Sequence, residues 1–227
     1  MNKLIKKKIK MKKLFSLLWL LCVCLTMYAQ ATKLTVDCQN PGWLSNKITY
    51  GDQMTVKDLT VTGYINDTDI KFLCALIRDR ALSGGRLNLE NTHIVGSISI
   101  LDDRMSNGWN CLNGDGHLAS LYLPKSLKEI SSAIGNISVD SLYFSPQKIH
   151  AVSSESFYRG DNNKYLKHLF LGENIDSIPK YSFLGCKNLT SIHLGKKMHY
   201  IGEAAFYAST NLKQLNWNEF TSSLDYI

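Results

Sequence analysis

Leu166, Leu189 and Leu212 lie 23 residues apart, and so do Leu169, Ile192 and Leu215. Leu171, Leu194 and Trp217 keep the same interval, as do Ile178, Ile201 and Leu224, and the pairs Ile175/Met198, Phe183/Phe206 and Gly172/Gly195. An apolar pattern returning at a fixed interval of this length signals stacked repeats, each a unit that cannot bury its apolar face alone. Ordering 23 residues costs more conformational entropy than six buried apolar side chains recover, so one copy cannot stand. A stack can, because each copy covers its neighbour. Each copy reads as a short strand, L-x-L or its equivalent, with leucines inward. A turn and a return leg follow, carrying one Ile and one Phe.

Less regular copies precede these two. Leu118, Leu121, Leu123, Leu127 and Ile130 keep the spacing, and Val139, Leu142, Phe144, Ile149, Val152 and Phe157 form another, longer copy. Leu87-x-Leu89 with Ile94 is a first degenerate copy. The Gly-, Asn- and Asp-rich stretch 102–117 reads as a loop inserted into the array. Upstream of Arg86 nothing repeats. Val56, Leu59 and Val61 in "TVKDLTVTGYI" predict strand structure ending at Gly63. Asn66, Asp67 or Thr68 then offers an N-cap for a helix bearing Ile70, Leu73, Cys74, Ile77 and Ala81, with Gly84 and Gly85 beyond its end. A strand and an amphipathic helix directly before a repeat array have the character of a cap, which shields the apolar edge of the first copy from water. The expected organisation is a leader over 1–31, a cap over 32–85 and an array over 86–227.

The formal charge of +7 does not indicate nucleic acid, because seven of the 26 basic residues are lysines between Lys3 and Lys13. No acidic residue precedes Asp37, and residues 32–227 carry 19 basic against 19 acidic side chains. After the lysines comes the apolar "LFSLLWLLCVCLTMY", then Ala29-Gln30-Ala31, the layout of a cleaved signal peptide. A retained membrane anchor is the competing reading; it requires about 20 apolar residues and some reason to stay. The expectation is an exported chain with no stable membrane span after cleavage. Cys38, Cys74, Cys111 and Cys186 then remain and allow three complete pairings in an oxidising compartment. A Cys38–Cys74 bridge within the cap is one expectation. Cys186, at a repeat position held by Ser209 one copy later, reads as a buried small apolar residue.

No catalytic constellation emerges from the motifs. Gly114-Asp115-Gly116 and Gly84-Gly85 lack the setting of a phosphate loop. Asp67 with Asp69, or Asp102 with Asp103, lacks calcium-loop spacing and reads as solvated or capping carboxylates. The six histidines fall at scattered offsets, and no cysteine and histidine spacing suggests zinc, so neither cofactor nor metal is expected. Arg159-Gly160-Asp161 lies in an insertion whose composition is ordinary turn chemistry. The strands are more informative. With Leu169 and Leu171 inward, His168 and Phe170 point outward, since side chains alternate along a strand. Stacking sets equivalent outward residues side by side in the order Tyr122, Tyr143, Phe170, His193, Asn216, flanked by Ser120, Ser141, His168, Ser191 and Gln214. These five are the candidate ligand-binding residues. The competing reading is that aromatics simply suit strands and stack on one another.

The pattern L-x-x-[IL]-x-L-x-x-x-[IM]-x-x-I-x-x-x-x-F-x-x-[CS] is matched by 166–186 and 189–209 and more loosely by 118–130 and 139–157. It resembles the BspA-like class of bacterial leucine-rich repeats, and "LTVTGYINDTDIKFL" is similar to the segment preceding such arrays. The resemblance implies a leucine-rich-repeat solenoid, with short parallel strands on one face, irregular return legs and a strand–helix cap. It also implies a non-enzymatic, exported or surface-displayed adhesion module. An extracellular protein or glycan is the expected partner, taken on the strand face, and self-association through an open C-terminal edge is a further expectation. The alternative is a truncated structural repeat fragment with no ligand site of its own.

Overall fold

A strand carrying leucines at alternate positions has one apolar face and unpaired hydrogen-bonding groups along both edges, so strands of this kind gain most by lying beside one another. The computed structural model describes residues 32–79, 81–95, 116–127, 138–145 and 165–215. Lys33–Ile227 form one compact unit. In chain order the strands are β1 (Thr32–Cys38), β2 (Val56–Ile65), β3 (Arg86–Asn88), β4 (Thr92–Ile94), β5 (Leu118–Tyr122), β6 (Val139–Phe144), β7 (His168–Leu171), β8 (Ser177–Ile178), β9 (Ser191–His193), β10 (Tyr200–Ile201) and β11 (Gln214–Leu215). Three helices, α1 (Leu44–Lys47), α2 (Tyr50–Thr55) and α3 (Asp67–Asp79), precede β3.

Among the described residues one open sheet runs in the order β1-β2-β3-β5-β6-β7-β9-β11, with β4 paired to β2 beside β3. From β2 onward every pairing is parallel, and the register is that of the repeat. Leu59, Leu87, Leu121, Leu142, Leu169 and Ile192 face one another across successive strands, and all are buried. The row before them is carried in step: the Thr190 amide donates to the Lys167 carbonyl at 2.8 Å and the Lys213 amide to the Thr190 carbonyl at 3.0 Å. Leu166 and Leu189 are accordingly buried, with Leu212 packed against the same core. The return legs stack likewise, pairing Ile178 with Ile201 and setting the Phe183 and Phe206 rings 5.4 Å apart. This is a leucine-rich-repeat solenoid built of short parallel strands and irregular return legs.

Glycine marks where neighbouring coils touch. A Cβ on Gly195 would lie 2.4 Å from the Gly172 carbonyl oxygen and 2.7 Å from the Glu173 Cα; one on Gly172 would lie 2.7 Å from the Ser145 Cα. Backbone cannot swing aside as a side-chain tip can. Gly195→Ala is therefore expected to destabilise by about 1–3 kcal/mol, the usual cost of overpacking. Urea unfolding followed by circular dichroism measures it. Gly51→Ala is the control, because its new Cβ would meet only the Thr49 hydroxyl at 3.8 Å.

The N-terminal region departs from expectation in several places. Gly63 does not end its strand; β2 continues to Ile65 through φ +84, where a Cβ would strike the Cys38 carbonyl at 2.4 Å. Helices α1 and α2 fill a stretch for which the sequence pattern had indicated no element. Thr49 caps α2 through a capping box, its hydroxyl accepting from the Asp52 amide at 3.2 Å while the Asp52 carboxylate accepts from the Thr49 amide at 3.3 Å. Helix α3 begins after Asn66, whose side-chain oxygen accepts from the Thr68 amide at 2.9 Å. It buries Ile70, Leu73, Cys74, Leu76 and Ile77.

Of the two expectations for Asp69, a solvated or a capping carboxylate, the structure shows the second. Asp69 is 1% exposed, and its oxygens accept from the amides of Gly42 at 2.6 Å, Leu44 at 2.8 Å and Asn66 at 3.0 Å. The Cys38–Cys74 bridge is also corrected. Cys38 is a free buried thiol that donates to the Asn40 carbonyl at 3.3 Å, whereas Cys74 is disulfide-bonded to a cysteine other than Cys38 or Cys186. Cys186 is free and fully buried, and burial pushes its thiol up to about 12. Residues 1–31, where a leader was expected, most of the expected loop 102–117, Cys111, Ile130, the Ile149–Phe157 part of the longer copy, the Arg-Gly-Asp tripeptide and residues 216–227 lie outside the described residues.

Candidate ligand-binding face

Burying one row of a strand fixes the direction of the next. With Leu121, Leu142, Leu169 and Ile192 inward, the neighbouring residues on either side turn outward and align by the same register. One outward row runs Thr60, Asn88, Tyr122, Tyr143, Phe170 and His193. The other runs Asp58, Arg86, Ser120, Ser141, His168 and Ser191, of which Ser191 is buried.

Four rings of the first row form a continuous stack. Centroids lie 4.0 Å apart from Tyr122 to Tyr143, 4.2 Å from Tyr143 to Phe170 and 4.5 Å from Phe170 to His193. Interplanar angles are 3°, 3° and 6°. Parallel rings this close are too near for edge contact, so they meet through their faces. Tyr122, Tyr143 and Phe170 are half-buried and His193 is exposed. Burial first, and then the hydrogen bond and charge of Tyr122, raise the Tyr143 phenol above its ordinary value, against an opposing pull from Arg86.

Arg86 closes the N-terminal end of the stack. Its guanidinium carbon sits 4.6 Å over the Tyr122 ring, while Nη1 bonds Asp58 at 3.1 Å. Sequence reasoning missed both residues. The available signal was that Arg86 stands one position before Leu87, as Ser120 stands before Leu121. On the flank, Asp140 receives Lys167 at 3.0 Å and His117 at 3.3 Å, and the His117 ring lies 4.9 Å from that of Tyr165. The structure thus brings Tyr122, Tyr143, Phe170 and His193 together; Asn216 lies outside the described residues.

The model of the BspA-type leucine-rich repeat region matches residues 105–227, in six copies. The chain belongs to the BspA-type leucine-rich-repeat family. No curated protein matches it. BspA-type repeats generally mediate protein binding or adhesion and are typically non-enzymatic, and proteins bearing them are commonly exported or displayed at the surface. In this BspA-type array β5 to β11 fall inside the matched region, whereas β2, α3 and β3 precede it.

One pair on the face resembles a fragment of a catalytic site. His168 Nδ1 lies 2.8 Å from Ser191 Oγ. Nucleophilic catalysis needs a hydroxyl that can reach a substrate, yet Ser191 is 3% exposed. The hydrogen bond therefore joins two strands and presents no nucleophile. Among the described residues, no group of three or more His, Cys, Asp or Glu side chains is placed to hold a metal ion, and no helix is long and apolar enough to cross a membrane.

Proposed function

We propose that this protein is an exported, non-enzymatic adhesion module that takes an extracellular protein or glycan on the outward strand face, with Tyr122, Tyr143, Phe170, His193 and Asn216 as the binding residues. In this reading residues 1–31 are a signal peptide, 32–85 the cap and 86–227 the array. The supporting observation is the stack of four rings along the outward row, three half-buried and His193 exposed. Aromatic side chains supply large contact area with few rotors to freeze, which is why they concentrate at the centres of interfaces. In this reading the basic residues near the N-terminus belong to the leader and the charge beyond it balances, so nucleic acid is not the expected partner.

The double variant Tyr143→Ser, Phe170→Ser removes the middle of the stack while leaving Leu142 and Leu169 in place. Both substitutions are outward, so the fold is expected to survive with a loss of about 1.5–4.5 kcal/mol, since three ring pairs are lost and each is worth ~0.5–1.5 kcal/mol beyond area. Capture of ligands from arrays of extracellular proteins and glycans is expected to vanish. Undiminished capture by a folded double variant would refute the reading.

A further inference from the structure

The direction in which the rings lie narrows what the face can hold. A sugar ring is ordinarily held by laying its C–H face on an aromatic face. Here each internal ring face is occupied by the next ring, and the outer face of Tyr122 is occupied by Arg86. Apart from the far face of His193, what remains outward are ring edges, and the edge of an aromatic quadrupole is its positive part. Around those edges stand groups able to donate: the half-buried hydroxyls of Ser120 and Ser141, the exposed imidazole of His193, and one of the two phenols of Tyr122 and Tyr143, which hydrogen-bond each other; His168 is engaged through Nδ1 by Ser191. The two carboxylates beside the face are already engaged, Asp58 by Arg86 and Asp140 by Lys167 and His117. Free donors and positive edges therefore predominate, with no uncompensated anion among the described residues of the two outward rows.

We propose that this face selects a polypeptide rich in Asp and Glu, its carboxylates accepting from the ring-edge side of the stack, in preference to any glycan; this rests on the binding-face reading above. The partner's chemistry follows from complementarity. Carboxylates accept the donors the face offers, and hydrogen bonds with one charged member are the stronger kind.

The test uses the full mature chain, a random-sequence peptide library displayed on phage, and an array of neutral and uronic-acid-bearing oligosaccharides. Peptides that bind the wild type but not Tyr143→Ser, Phe170→Ser are expected to be enriched in Asp and Glu over the unselected library. Converting their carboxylates to amides is expected to weaken binding about tenfold. His193→Glu, at an exposed position that leaves the core untouched, is expected to weaken the same peptides by about tenfold or more through like charge. Stack-dependent peptides with no acidic enrichment, stack-dependent capture of glycans, or acidic peptides indifferent to His193→Glu each overturn the acidic-polypeptide proposal and leave the binding face standing. A library and an array that both yield no stack-dependent binder overturn the two together.

Discussion

Asp69→Ala is expected to remove about 3–5 kcal/mol, a large share of the total stability of a small domain, and to leave the N-terminal region unfolded at physiological temperature. The carboxylate is 1% exposed and gathers three backbone amides from two separate segments: Gly42 and Leu44 beside α1, and Asn66 at the start of α3. Alanine leaves those donors facing a buried void, and each unsatisfied buried group costs about 1–3 kcal/mol. Asp69→Asn retains one acceptor oxygen but introduces two N–H donors among donors, so its loss is expected to approach that of alanine. Urea denaturation read by far-ultraviolet circular dichroism decides the matter. A change below about 1 kcal/mol for Asp69→Ala would mean that the amides find water or other partners, and that the carboxylate is not the tie described above.

Leu169→Ala is the second large effect, expected at about 2–5 kcal/mol as for other fully buried leucines. Leu169 is 0% exposed and stands between Leu142 and Ile192 in the inward row. A repeat array is held by nearest-neighbour interfaces, and this residue contributes to two of them. Damage should therefore spread to β6 and β9 before it reaches β2. Amide hydrogen exchange is the suitable measurement: protection should fall at β6, β7 and β9 and persist at β2 and α3. The adjacent Phe170→Ala provides the contrast. It removes ring stacking from the outward row and should cost no more than about 3 kcal/mol, one to two pair energies. Equal losses and equal exchange patterns for the two neighbours would contradict the inward and outward assignment.

The array was legible because its signal is written more than once. A leucine at 169 could belong to many folds; leucine or isoleucine at 169, 192 and 215, with the rest of the set in phase, belongs to few. Once the inward row was known, alternation gave the outward row, and the Tyr122-to-His193 order followed without any structural information. Residues 32–85 lacked this redundancy. Helices α1 and α2 bury only Leu44 between them, so they have no apolar periodicity to detect, although Thr49 and Asp52 stand at capping-box spacing. Gly63 looked like the end of a strand because glycine usually ends one. Here its missing Cβ lets β1 and β2 approach while the strand continues. Asp69 looked like an ordinary first-turn carboxylate, and only the fold brings Gly42 and Leu44 to it. The place of Arg86 in the stack required knowing that β3 pairs directly with β5 across the inserted loop. Cysteine spacing carried no information on pairing, and the Cys38–Cys74 expectation failed for that reason.

The parallel register also makes the outward face a ruler with fixed graduations. One ring is contributed by each strand, so Tyr122 and His193 stand three rungs apart, at intervals of 4.0, 4.2 and 4.5 Å. A chain crossing the strands in extended form exposes same-side groups every second residue, and four of its residues span about 13 Å. The two scales coincide at the outer marks and fall out of step between them. A linear segment laid along this face would therefore meet Tyr122 and His193 with positions four apart and straddle Tyr143 and Phe170 with the one between.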